Sequence, residues 1–330
     1  MRKIVNLIKL VVSYLLSNLA RKPVIWGKPA FVSIEPTNHC NLRCPECPTG
    51  QLGLTRAIGH LKLDEFTHFI DQLSPDLANL TLYFQGEPYL NTDLFNLISH
   101  ARSRNIYVWT STNGHYFTEK NIRRTIQSGL NKLIISLDGT DQEAYEKYRI
   151  GGSFQKVIDG TSDFVRIRKE MKAKRPLLEI QFLVLKSNEH QLKEIKELGK
   201  SLGVDRTVLK TAQFYDFEHG NPLMPENERW SRYKRTSRKE SQQLAVGSQQ
   251  YIINNSLPNR CFRMWSGCVV TWDGKVVPCC FDKDADHCLG DLKSQSFNEI
   301  WKGEPYKLFR KQILENRKSI DICRNCGQIW

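Results

Sequence analysis

Apolar positions along this chain switch between two periods. Short apolar runs at 30–35, 80–84, 106–111, 132–137, 178–185 and 204–209 read as strands, and amphipathic stretches at 64–73, 92–104, 119–128, 153–171 and 190–202 read as helices between them. Six strands alternating with helices predict an α/β fold with a parallel sheet and crossover helices. In such folds, ligand-contacting residues sit at the carboxyl ends of the strands.

Two segments depart from this rhythm. At 1–19, Ile4, Leu7, Ile8, Val11, Leu15 and Leu19 recur at helical spacing with Arg2, Lys3, Lys9, Arg21 and Lys22 around them, which predicts an amphipathic helix. Its longest apolar stretch, 10–16, is broken by Ser13 and falls short of the ~20 residues a membrane span requires. Two readings stay open: packing against the body of the protein, or reversible contact with a membrane surface. At 212–258 the pattern dissolves into a polar segment with Trp230 and the basic residues Arg229, Arg232, Lys234, Arg235, Arg238 and Lys239, read as a linker or flap. Its charges suit a solvated helix face or contact with an anionic substrate or headgroup.

Directly after the first strand comes Glu35-Pro-Thr-Asn-His-Cys40-Asn-Leu-Arg-Cys44-Pro-Glu-Cys47-Pro. Three thiolates at spacings of four and three on a tight loop can hold three corners of a cubane cluster and leave one iron open. A structural zinc would need a fourth ligand, and His39, adjacent to Cys40, should diverge from the common centre of the three sulfurs. Three buried structural cysteines are the plain alternative.

This motif resembles the signature of the radical S-adenosylmethionine (radical SAM) enzymes. The resemblance implies a partial (β/α)6 TIM-like barrel with a [4Fe-4S] cluster on Cys40, Cys44 and Cys47, whose open iron is chelated by SAM. It also implies reductive cleavage to a 5'-deoxyadenosyl radical, hydrogen abstraction from substrate, and a flavodoxin- or ferredoxin-like electron donor. Further segments in chain order strengthen it. Gln85-Gly86-Glu87-Pro88 is similar to the family's Gly-Gly-Glu-Pro, which binds the SAM amino group, with Gln85 replacing the first glycine. Thr112-Asn113-Gly114 and Ser136-Leu137-Asp138-Gly139 close the third and fourth strands, followed by Tyr145, Arg149 and Gly151-Gly152-Ser153-Phe154. By this likeness Gly86, Glu87, Asn113, Ser136, Arg149 and Leu185 bind the cofactor, Ser136 meeting the ribose and Arg149 the carboxylate. An arginine shortly past a strand end is in any case a natural bidentate carboxylate clamp, with a surface salt bridge as the plain alternative.

The chain has 330 residues and ten cysteines, grouped at ligand spacings and not scattered as an extracellular framework, which points to a reducing cytoplasm. With 48 Lys+Arg against 35 Asp+Glu, the formal charge of +13 favours an anionic partner: a phosphate-bearing substrate, an acidic redox protein or a membrane. No nucleic-acid motif is evident.

The remaining seven cysteines, Cys261, Cys268, Cys279, Cys280, Cys288, Cys323 and Cys326, lie in the last seventy residues. Asp273-Gly274 between Val269-Val270 and Val276-Val277 is a hairpin signal. Cys261 and Gly274-x4-Cys279 resemble the opening of a SPASM domain, and Cys323-x2-Cys326 offers a paired-ligand spacing. The likeness implies one auxiliary [4Fe-4S] cluster on Cys261, Cys279, Cys323 and Cys326, two clusters in all, with zinc as the competing occupant. Cys268, Cys280 and Cys288 are left as free thiols or an incomplete third site. In the anaerobic sulfatase-maturating enzymes, which this module resembles, the residue after the cysteine corresponding to Cys279 is a proton-accepting aspartate. Here it is Cys280, with Asp282 two positions on, so Cys280 and Asp282 are the candidate catalytic residues.

The expected organisation is a helix at 1–27, a barrel at 28–211, a linker or flap at 212–258 and a cysteine-rich domain at 259–330. Three functions remain open: a radical SAM oxidase, a redox-neutral epimerase or mutase with Cys280 as hydrogen donor, and a non-catalytic iron-sulfur or zinc protein. The family's peptide maturases usually carry a leader-docking domain upstream of the cysteine loop, where one helix is read here. Peptide, carbohydrate, and lipid- or nucleotide-linked substrates therefore all stay open.

Overall fold

A computed structural model of the protein describes residues 1–236, 251–254 and 257–327. After helix α1 (Arg2–Ala20), strands β1 (Phe31–Ile34), β2 (Asn79–Thr81), β3 (Tyr107–Thr112), β4 (Lys132–Ser136), β5 (Leu177–Val184) and β6 (Arg206–Thr211) lie side by side in chain order, all parallel. The crossovers are α2 (Leu63–Leu73), α3 (Leu94–Ser103), α4 (Glu119–Gln127), the pair α5 (Gln142–Glu146) and α6 (Phe154–Glu170), and α7 (Glu194–Leu202). Helix starts follow side-chain caps: Thr118 accepts from Asn121 N, Asp141 from Ala144 N and Ser153 from Lys156 N. The five-residue α5 escaped sequence reading because it is too short to show a period.

Alternation along the strands makes a hollow barrel. On β4 and β5, Leu133, Ile135, Leu178, Ile180, Phe182 and Val184 are fully buried in the main apolar core. Their neighbours Lys132, Ile134, Ser136, Glu179, Gln181 and Leu183 point the other way and line a cavity. The inward set is largely polar, so the lumen is not closed by side-chain packing.

The cysteine-rich segment continues the barrel sheet. β9 (Gly267–Val270) pairs parallel with the free edge of β1, after the small hairpin of β7 (Tyr233–Arg235) and β8 (Tyr251–Ile253). β10 (Lys275–Val277) returns antiparallel through the expected turn, and β11 (Gly290–Asp291) completes a nine-stranded sheet. At Gly267 the carbonyl of Phe31 stands where a Cβ would be, so only glycine permits this approach.

Two expectations change. The described part of 212–258, read as a linker or flap, carries no solvated charged helix along its basic run: Phe214, Phe217, Met224 and Tyr233 are buried with Leu42, Cys44, Tyr148 and Leu185, forming a cover beside the cysteine loop. Of its basic residues, Arg232 donates to Thr211 Oγ1 and Arg235 to Tyr251, whereas Arg238 and Lys239 lie outside the described residues. The helix at the N-terminus is amphipathic as expected, but the face that meets the protein is the polar one. Asn6, Leu10, Ser13 and Ser17 are its buried residues.

Candidate active site and metal centres

A cavity of about 570 Å³ lies at the carboxyl ends of β1–β6 and is lined by Cys40, Cys44 and Cys47. The loop carrying them is held from several sides. Arg43 N donates to Ile150 O, Cys47 N to Cys44 O and Leu42 N to Cys40 Sγ. Gly86 closes on the same loop at φ 74°, where an added Cβ would meet the Thr37 and His39 carbonyls at 2.5 and 2.7 Å. Glu87 N then donates to His39 O. His39 itself is exposed, as its position beside Cys40 predicts. Gln85, the departure from the double-glycine pattern, lines the cavity, and its Oε1 accepts from Thr49 Oγ1 at 3.3 Å just past the cysteines.

The expected cofactor residues Gly86, Glu87, Asn113, Ser136 and Arg149 all face this cavity. Glu87 accepts from Asn113 N (2.7 Å), Thr112 Oγ1 (2.8 Å) and Tyr89 N (3.1 Å). Burial nevertheless pushes its carboxyl up to about 7, against those donors and Arg149. A carboxylate buried this deeply in the cavity wall, with three donors and still a raised pKa, suits a cationic ligand. Arg149 is no surface pair: it binds Asp138, which is 1 % exposed, at 2.6 Å, and its Nη1 reaches Cys44 Sγ at 3.8 Å. Asp138 is fixed in turn by Leu183 N, which donates to its Oδ1. Burial opposes the Arg149 charge, but Asp138 and Cys44 hold the guanidinium pKa well above its ordinary value.

Leu185 is placed apart from the other expected cofactor residues. It is fully buried with Cys44 and Tyr148 and does not line the cavity; Leu183, two residues earlier and still in β5, does. Past the strand end the inward alternation stops, and Leu185 N turns to Asn188 Oδ1. The two catalytic candidates also part. Cys280 lines the cavity. Asp282 does not; its oxygens accept from Asp286 N and His287 N, organising a turn. Lys283, unremarked in the sequence, lines the cavity with Nζ 4.9 Å from the Tyr215 ring centre, and burial lowers the pKa of its ammonium group.

Cys261, Cys279, Cys323 and Cys326 line a second pocket, walled by Met264, Phe281, Phe309, Ile313 and Ile322. Consecutive residues Cys279 and Cys280 therefore face different sites. Arg317 donates to Cys326 Sγ at 3.2 Å, and Arg263 Nε is buried without a hydrogen-bond partner. Two guanidinium groups beside four cysteines fit a thiolate-ligated centre of net negative charge. The first site fits equally: three thiols line one cavity, and although burial pushes the Cys40 thiol up to about 12, a bound metal cation would displace its proton and hold it as thiolate. Among the described residues no three His, Cys, Asp or Glu side chains close on one ion. Sulfurs on a single zinc stand about 3.8 Å apart, from 2.3 Å bonds at tetrahedral angles, while a cubane spreads its ligands around a larger body. Cys268 is buried in the core, pushed up to about 12 by burial, and Cys288 is exposed, so neither shares a cavity with Cys280.

Residues 34–198 match the radical SAM superfamily, and residues 261–327 match the SPASM iron-sulfur cluster-binding domain. The chain is 25% identical over 310 residues to the AdoMet-dependent heme synthase of Methanosarcina barkeri, covering 86% of this chain and 84% of that protein. It is 26% identical over 290 residues to the PqqA peptide cyclase of Granulibacter bethesdensis, covering 84% and 75%. The fold is shared with Streptococcus suis SuiB bound to its precursor peptide SuiA, at TM-score 0.66 and 15% identity over 98% of this chain and 73% of SuiB.

Proposed function

The chain belongs to the radical SAM superfamily and carries a SPASM domain, and from that premise we propose that it abstracts a hydrogen atom from a carbon of a peptide or protein side chain. Its cofactors are [4Fe-4S] clusters and SAM. When bound and reduced by one electron they supply a 5'-deoxyadenosyl radical, while the second cluster supplies a one-electron store.

In this reading Cys40, Cys44 and Cys47 hold the first cluster, and Cys261, Cys279, Cys323 and Cys326 the second. Glu87 receives the SAM ammonium, its carboxylate aimed by three donors. Arg149 takes the SAM carboxylate, its planar group held in register by Asp138. Ser136 and Leu183 bound the nucleoside, and Asn113 ties the third strand end to the cysteine loop through Asn41 Oδ1 at 2.8 Å. The working division remains 28–211 for SAM and 259–330 for the second cluster, with the described part of 212–258 as cover. Peptide substrates are supported by the relatives, a peptide cyclase and a structure with a bound precursor peptide.

One observation carries the chemistry: Cys280 shares the cavity of Cys40, Cys44, Cys47, Glu87 and Arg149. Its thiol is placed to return a hydrogen atom to a substrate radical, leaving net oxidation at zero and inverting the carbon; one electron and one proton then restore the thiol. A second reading rests on Lys283, which lines the same cavity and whose ammonium pKa burial lowers: it takes a proton during a two-electron oxidation. In anaerobic turnover with SAM and a reductant, the first reading gives product of unchanged mass carrying solvent deuterium, and the second gives product two hydrogens lighter. A reconstituted protein that makes no 5'-deoxyadenosine from SAM rules out both and leaves a non-catalytic cluster protein.

A further inference from the structure

Helix α1 is attached inside out. Its inner face is pinned by small polar side chains: Asn6 Nδ2 donates to Lys28 O and Asn6 Oδ1 accepts from Lys28 N, at 2.7 and 2.9 Å. Ser13 Oγ accepts from Trp26 N, and Ser17 Oγ from Val24 N and from Trp265 Nε1. Arg2 reaches Asp76, and Lys3 donates to Asn105 O. These partners precede β1, β2, β3 and β9, so α1 crosses the amino-terminal ends of the strands.

The opposite face is apolar and uncovered. Ile4 is 63%, Ile8 58%, Leu15 54% and Leu19 81% exposed, and Trp26 beyond the helix is 56% exposed. These positions recur at intervals of three, four and seven with Val11 between them, forming one continuous stripe. A stripe of this kind marks an interaction surface and is not ordinary surface scatter. The charge around it is one-sided: residues 1–34 contain Arg2, Lys3, Lys9, Arg21, Lys22 and Lys28 and no Asp or Glu. Lys9 and Lys22 are exposed and make no ion pair among the described residues. A second copy of this face would set basic rim against basic rim. An anionic lipid surface answers both features, apolar side chains entering the acyl boundary and lysines meeting headgroups.

We propose that α1, with Trp26, seats the protein in plane on an anionic membrane surface through Ile4, Ile8, Val11, Leu15 and Leu19. The helix lies flat, because its inner face stays hydrogen-bonded to the body through Asn6, Ser13 and Ser17. The barrel end carrying the SAM cavity then faces away from the lipid.

The test is co-sedimentation of the anaerobically reconstituted full chain with vesicles of phosphatidylglycerol and phosphatidylethanolamine, against vesicles of phosphatidylcholine alone. The native chain should pellet with the anionic vesicles, at least about tenfold better than with the neutral ones, and less in high salt. The pair Ile8→Ser and Leu15→Ser should cut binding by at least about tenfold, because both side chains lie on the exposed apolar stripe. Its unfolding midpoint and 5'-deoxyadenosine formation should stay those of the native chain, since neither residue touches the cavity. Three results overturn the inference: no binding to either vesicle, equal binding by the double variant, or a solution dimer that the same double variant abolishes.

Discussion

Arg56 donates to both carboxylate oxygens of Glu35, Nη1 to Oε2 at 2.8 Å and Nη2 to Oε1 at 2.9 Å, and both side chains are almost wholly buried. The pair joins the end of β1 to the C-terminal module. Trp272 N donates to Glu35 Oε2, Arg56 Nε donates to Lys283 O, and Asp284 accepts from the backbone of Thr55 and Arg56. Since Cys40 and Cys47 lie between these partners in sequence, the same ion pair braces both cofactor sites. Arg56→Met leaves a buried carboxylate uncompensated and should lower the urea-unfolding stability of the apoprotein by about 3–5 kcal/mol. A loss below about 1 kcal/mol would show that water reaches Glu35.

Arg149 is aimed by Asp138, so the positioning residue should matter nearly as much as the clamp. Asp138→Asn keeps the shape but removes the charge partner, and should raise the SAM dissociation constant by about tenfold, the scale of losing one charge-assisted bond. Arg149→Lys should cost more, because an ammonium cannot make the planar two-point contact. Equilibrium dialysis with labelled SAM on cluster-loaded protein measures both; iron content should be unchanged in each.

The raised carboxyl of Glu87 gives SAM binding a pH dependence with a definite sign. Its free-state value of about 7 lies above the ordinary carboxylate range, so below that pH the site holds a neutral acid that must lose its proton to receive an ammonium. SAM affinity should therefore fall as pH drops from 8 to 6, by up to about tenfold per unit below the titration point. In Glu87→Gln the profile should be flat and the affinity low throughout. A native profile that is flat from 6 to 8 would place the carboxyl back in its ordinary range.

Metal content separates the two sites. Loss of Cys323 and Cys326 together, each to alanine, should remove about four of about eight irons per chain while the brown absorption of the first cluster remains. The same variant losing one zinc and no iron would mark the second pocket as a zinc site. Removing Cys40, Cys44 and Cys47 instead should abolish 5'-deoxyadenosine formation.

Cys280→Ser retains size but replaces a weak S–H bond with a strong O–H bond. If Cys280 returns the hydrogen atom, solvent deuterium in the product should disappear while SAM cleavage continues, as read by mass spectrometry of product and nucleoside.

The chain's own letters carried the six barrel strands, their crossover helices and the hairpin at Asp273-Gly274, because period and turn chemistry are local properties. They also carried the cysteine spacings, since ligands for one centre on a short loop must be close in sequence. What folding alone decided is which distant residues meet. Asp138 is turned behind Arg149 by the loop after β4, Glu35 meets Arg56 across the cysteine loop, Arg317 reaches Cys326, and Lys283 comes to the cavity from the far end of the chain. Direction was equally hidden. Cys279 and Cys280 are neighbours that face separate sites, Asp282 turns to backbone amides, and Leu185 falls into the core once its strand has ended. The first helix makes the same point: its periodicity was plain, but its polar face turned inward because hydrogen bonds to Lys28, Val24 and Trp265 were available there. Local pattern fixes what an element is, and only the packed neighbours, through burial and pairing of polar groups, fix which way it looks.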